Sequence, residues 1–167
     1  MTEPNSRRPI ASRDTKLAQR FARWLAGTPI TPNAISAGSV LFAAVAGAGF
    51  WMGGWGLLLA AVAVQGRLLC NLFDGMVAVE GGKSGPDGAF WNEAPDRLAD
   101  ILILVGLGLA AGTPALGWAA ATFAVLTAYL REAGHAEGMD PDFSGPMAKP
   151  QRMAVATAAA IFALFVP

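Results

Sequence analysis

Long uncharged stretches alternate with short polar ones in this chain. No Asp, Glu, Lys or Arg occurs over 43 residues from Trp24 to Gly66, or over 30 from Ile101 to Leu130. Another such stretch runs from Met153 to Pro167. Apolar runs longer than ~18 residues predict transmembrane helices. The pattern therefore predicts an all-α, polytopic transmembrane helix bundle with five spans visible.

Residues 1–13, rich in Pro, Ser, Asn and Arg, read as a flexible N-terminus. Residues 14–27 differ. Leu17, Phe21, Trp24 and Leu25 recur at helical spacing, and Lys16, Arg20 and Arg23 fall mostly off that stripe. This is a basic amphipathic helix suited to lie in the headgroup layer; the alternative is a surface helix packed on protein. Residues 28–167 read as one transmembrane helical domain. Thr31 is an N-cap candidate, with Pro32 at the first helical position. The first span then runs to about Met52. Gly53-Gly54 makes a turn, and the second span runs from about Trp55 to Val79. Glu80 to Trp91 reads as a glycine-rich loop. Two spans fit around Gly112-Thr113-Pro114 only if the third begins near Ala94 and the fourth continues to about Gly134. A fifth starts at Met153 and stops after 15 residues. Either it is cut short or it borrows Lys149–Arg152 as an anchor.

The charges orient this bundle. Arg7, Arg8, Arg13, Lys16, Arg20 and Arg23 precede the first span, which predicts a cytoplasmic N-terminus. Counting spans puts Lys83, Arg97, Arg131, Lys149 and Arg152 on the same side. The expected location is the inner (cytoplasmic) cell membrane, multi-pass. Only 14% of residues are charged, against about 25% in a soluble domain. The formal net charge is zero, so no nucleic-acid partner is suggested. The single cysteine, Cys70, excludes an internal disulfide and reads as a packed thiol. His135, in a polar connection, reads as solvated. Gly82-Lys83-Ser84 lacks the earlier glycine of a phosphate-binding P-loop, because position 77 is valine.

Two polar clusters resist a purely structural reading. Arg67, Asn71 and Asp74 share one face of the second span. Asp96 and Asp100 share a face of the third, with Asn92 and Glu93 one turn earlier. Ionised groups at such depth must face a polar interior. Carboxylates that converge must be relieved by cations or protons. Oxygen ligands favour hard ions such as Mg²⁺, Mn²⁺ or Ca²⁺, and two such ions can clamp a phosphoryl displacement. A spare carboxylate can take a proton from an attacking hydroxyl. Arg131, Lys149 and Arg152 either hold a phosphate or anchor the topology. Arg67 is either an internal counter-ion or a phosphate ligand.

Asp74-Gly75-x-x-Ala78 and Asp96-x-x-x-Asp100, across a helix hairpin, resemble the CDP-alcohol phosphotransferase family. The Thr31-Pro32-Asn33 start of the first span is also similar. The family pattern has an aspartate where this chain has Asn71, an arginine at Val79 and a glycine at Asn92, and its spacer is shorter. The resemblance implies Asp74 and Asp96 as metal ligands, and Asp100 as ligand or base. It also implies that Gly75 and Ala78, beside Asn71 and Asp74, let a cytidine approach. Asn71 offers a neutral carbonyl as ligand, and Glu93 is expected to restore the missing charge. Further implications are six spans, the sixth missing beyond Pro167, a two-metal site open to the cytoplasm, and a homodimer. The reaction implied is attack of an alcohol acceptor on a CDP-linked lipid donor, CDP-diacylglycerol, with release of CMP. Two other readings stand beside it. One is a catalytically silent relative that binds nucleotide, lipid or metal. The other is an ion or proton transporter using the aspartates and Arg67 as a relay.

Overall fold

The computed structural model of the protein describes residues 15–83, 85–140 and 147–166. The expected flexible segment 1–13, with Arg7, Arg8 and Arg13, lies outside the described residues. Among those described there are six helices: α1 (Lys16–Ala26), α2 (Pro32–Met52), α3 (Trp55–Glu80), α4 (Gly88–Ala110), α5 (Pro114–Ala136) and α6 (Lys149–Ala163). The all-α expectation is met. Two of these helices, α2 and α3, are long and apolar enough to cross a membrane.

Helix ends follow local chemistry. Thr15 caps α1, its hydroxyl accepting from Ala18 N–H at 3.3 Å. Thr31 does the same for α2, accepting from Ala34 N–H at 3.2 Å, with Pro32 at the first helical position. Thr31→Ala is expected to lower stability by about 1 kcal/mol, because an orphan N–H loses its acceptor. Chemical unfolding in detergent would measure it; an unchanged midpoint would show that the cap contributes nothing. The α2–α3 turn needs positive φ at Gly53 (+63°) and Gly54 (+50°), which glycine adopts without steric cost.

One boundary departs from expectation. The third long helix begins at Gly88, not near Ala94, so residues 88–91 belong to a helix rather than a loop. Pro95 lies within α4, where it supplies no N–H to the carbonyl of Trp91. Proline usually marks a start, but here the helix extends past it toward the side where Asp87 accepts from Asn33 Nδ2 at 3.0 Å. Lys83 staples the same end. Its Nζ donates to the carbonyls of Thr28 at 2.6 Å and Ile30 at 3.2 Å. The lysine of the rejected phosphate-loop motif thus holds backbone. Residues 149–152, considered as an anchor for the last span, form the first turn of α6.

Helix α2 packs on both α3 and α4; α5 packs on α4, while α1 and α6 pack on α3. The main core is built from small residues, including Ala43, Ala46, Ala60, Ala63, Ala99 and Ala156, around Phe50, Ile103 and Met153. Small residues let helix backbones approach closely. A Cβ on Gly106 of α4 would lie 2.6 Å from the Cα of Gly47 in α2. Helix α1 buries Ala18, Ala22 and Leu25, and its alanines cluster with Leu72 and Met76 of α3. Its large apolar stripe, Leu17, Phe21 and Trp24, points outward. Leu41, Trp51, Trp55, Leu69 and Phe123 are also exposed.

Candidate active site

Three helices supply the charged cluster. Helix α3 is continuous through residue 80, so Arg67, Asn71 and Asp74 stack on one face at successive turns. Helix α4 presents Asp96 and Asp100 in the same way. Helix α6 begins with Lys149, and because α6 packs on α3, Lys149 and Arg152 reach over both aspartates.

Arg67 and Asp100 are both 0% exposed, and Asp96 is 4% exposed. Arg67 Nη2 donates to Asp100 Oδ1 at 2.9 Å and Asp96 Oδ1 at 3.3 Å. It also lies 3.4 Å from the Asp96 carbonyl. Asp96 Oδ1 accepts a further hydrogen bond from Asn71 Nδ2 at 2.6 Å. Lys149 Nζ pairs with Asp96 Oδ2. Arg152 Nη2 donates to Asp100 Oδ2 at 2.6 Å, and its Nη1 donates to the Met147 carbonyl at 2.8 Å. Every carboxylate oxygen of Asp96 and Asp100 therefore accepts from a cation. A buried carboxylate pair is tolerable only when so compensated.

Asp74 has a different environment. Ser36 of α2 donates to its Oδ2 at 2.7 Å, and Gly75 N–H donates to its Oδ1 at 2.5 Å. Both donors are neutral. Ser36 is a buried residue that the sequence reading missed. Its signal would have been a serine four positions after Pro32, on the inward face of an alanine-rich span. Gly75 and Ala78 are half-buried beside Asp74 on α3.

Glu93, expected to restore the charge missing at Asn71, is placed among basic residues. It pairs with Arg97 on its own helix and with Arg131 of α5 at 3.2 Å. Arg131 also meets Glu132 at 3.1 Å. Of the four basic residues expected at a phosphate, Arg67, Lys149 and Arg152 meet Asp96 and Asp100, whereas Arg131 is placed with Glu93 and Glu132. His135 is exposed, its Nδ1 3.4 Å from the Met139 carbonyl. Cys70 is a free, partly buried thiol.

The donor set can be tested against the Mg²⁺ or Mn²⁺ pair that the resemblance implies. Among the described residues, no three His, Cys, Asp or Glu side chains are placed to share an ion. Nitrogen donors take all four oxygens of Asp96 and Asp100. Asn71 presents its amide nitrogen to Asp96, so toward that carboxylate it acts as a donor. In this arrangement the residues do not fit a two-ion centre.

Fold and site together define an all-helical protein with a buried carboxylate–cation cluster at the junction of α3, α4 and α6. No family model matches the sequence. The chain is similar to the bifunctional IPC transferase and DIPP synthase of Rubrobacter xylanophilus, 38% identical over 110 residues. That match covers 64% of this chain and 25% of the relative, so the chain spans about a quarter of the length of the curated relative it matches.

Proposed function

We propose that this protein is an integral-membrane phosphotransferase. It moves a substituted phosphate group from a CDP-linked donor to an alcohol and releases CMP. The observation that carries this reading is the meeting of Asp96 and Asp100 with Arg67, Lys149 and Arg152, from three helices, in one buried place. A relative named as both a transferase and a synthase supports it. So does the Asp74-Gly75-x-x-Ala78 and Asp96-x-x-x-Asp100 resemblance. The proposed setting is a bilayer, supported by the apolar lengths of α2 and α3 and by their outward Leu41, Trp51, Trp55 and Leu69. The proposed lipid donor is CDP-diacylglycerol.

The chain's own residues suggest how transfer proceeds. The Lys149 and Arg152 side chains are 27% and 14% exposed, whereas that of Arg67 is fully buried. An incoming diphosphate reaches the first two and exchanges their carboxylate partners for phosphate oxygens. Oδ2 of Asp96 and Oδ2 of Asp100 are thereby freed, while Arg67 still holds Oδ1 of both. The acceptor oxygen attacks the phosphorus that bears the substituent. Its proton passes to the freed Asp100, and the bond to the CMP oxygen breaks. Asp74, held by Ser36 and Gly75, shapes the cytidine side of α3.

Purified protein given CDP-diacylglycerol and a panel of alcohols, with and without Mg²⁺, is expected to release CMP with at least one acceptor. Tight cytidine-nucleotide binding without CMP release would replace this reading with a silent binding protein. Absence of both would favour a charge relay. In the active case, Lys149→Gln and Arg152→Gln are each expected to raise KM for the CDP donor at least about tenfold. The loss is that of one charge-assisted hydrogen bond, about 1.5–3 kcal/mol. An unchanged KM in both variants would remove these residues from the donor site.

A further inference from the structure

We propose that Arg67 takes the place of a divalent cation between Asp96 and Asp100, so that the free protein holds the two carboxylates together without a metal ion. This assignment stands on the ion-pair geometry and not on the transferase reading. Three observations converge on it. Arg67 Nη2 lies within hydrogen-bond reach of both carboxylates, at 2.9 and 3.3 Å, as a bridging cation would. Its side chain is fully buried, so the positive charge is a permanent part of the interior. One turn later the chain carries Asn71, which directs N–H at Asp96 instead of adding a further negative charge.

Charge arithmetic points the same way. Asp74, Asp96 and Asp100 contribute three negative charges, and Arg67, Lys149 and Arg152 contribute three positive ones. The cluster is already neutral without a metal, so a divalent ion added to these six groups would leave excess positive charge at close range, at a Coulombic penalty in a low-dielectric interior. Arg67 also keeps spare donors. Its Nε and Nη1 are buried and have no hydrogen-bond partner among the described residues. Buried polar groups call for partners, and a non-bridging phosphoryl oxygen would supply one. Arg67 thus combines bridging of two carboxylates with two buried donors that no described residue satisfies.

Mn²⁺ titration of the detergent-purified full chain, followed by the EPR signal of free Mn²⁺, tests this without relying on activity. The titration is run with no nucleotide and again with CMP. Wild-type protein is expected to remove no stoichiometric Mn²⁺ at micromolar concentrations in either state, and Arg67→Lys to behave alike. Arg67→Gln is expected to bind one Mn²⁺ at least tenfold more tightly than wild type, and a further Asp96→Asn to abolish that gain. Micromolar Mn²⁺ binding by wild type that Asp96→Asn removes would overturn the proposal. So would a folded Arg67→Gln whose Mn²⁺ response matches wild type. If Arg67→Gln fails to fold, the wild-type and Asp96→Asn titrations still decide. If no alcohol supports CMP release, the titration still judges Arg67, so the two readings fail separately.

Discussion

Asp100→Asn is expected to abolish CMP release, by a factor of about 10²–10⁴, and to destabilise the fold by about 3 kcal/mol or more. Both effects follow from one arrangement. Asp100 is completely buried, and its two oxygens accept from Arg67 and Arg152. An asparagine keeps the shape but removes the charge, and its amide offers one acceptor where the carboxylate offered two. One guanidinium is then left facing an N–H donor in a medium that cannot solvate it. Removing one partner of a buried ion pair typically costs more than the pair itself contributes. Activity falls separately, because an amide takes no proton from the acceptor hydroxyl. Rates measured alongside a thermal melt in detergent separate the two effects. Near-wild-type turnover in a folded Asp100→Asn would exclude this residue as the base. A wild-type melting temperature would mean that the pairing with Arg67 and Arg152 contributes no net stability.

Gly106→Leu is expected to separate α2 from α4 and disturb the site at a distance. A Cβ at position 106 would stand 2.6 Å from the Cα of Gly47 and 2.7 Å from its carbonyl oxygen, distances at which backbone must move. Leucine adds three further carbons beyond that Cβ. Overpacking of this kind costs about 1–3 kcal/mol, and more where backbone meets backbone. The consequence reaches the cluster because α2 carries Ser36, which donates to Asp74 of α3. Moving α2 loosens that bond, while Arg67, Lys149 and Arg152, on α3 and α6, keep their mutual placement. The expected result is a lower melting temperature, with cytidine-nucleotide affinity falling more than affinity for inorganic phosphate. Equal losses for both ligands would show that α2 positions nothing specific. An unchanged melting temperature would show that the helices accommodate the side chain by sliding.

Local rules recover much of this protein from its sequence. Uncharged run length marked α2, α3 and α5 to within a few residues. Thr31-Pro32 marked where α2 begins, because an N-cap oxygen and a fixed φ act on neighbouring atoms. Helical periodicity placed Arg67, Asn71 and Asp74 on one face, and Asp96 and Asp100 on another. The start of α4 was missed by six residues, since span-length arithmetic fixes only the minimum extent of a helix and α4 runs on past it to Gly88.

Which cation meets which carboxylate was decided only by the tertiary structure. Arg67 and Asp100 are 33 positions apart and Arg152 and Asp100 are 52 apart, so no local spacing relates them. The first pairing depends on α3 and α4 both packing on α2, and the second on α6 lying against α3, which the small residues of the core permit. Glu93 shows the same limit. Its place one turn before Asp96 was apparent, but its inclusion in α4 was not, and its direction toward Arg131 follows from how α5 seats on α4. Ser36 became a partner of Asp74 only through α2 packing beside α3. The residues of one helix are related by a fixed rise and turn; residues of different helices are related by close packing, which depends on every side chain in between.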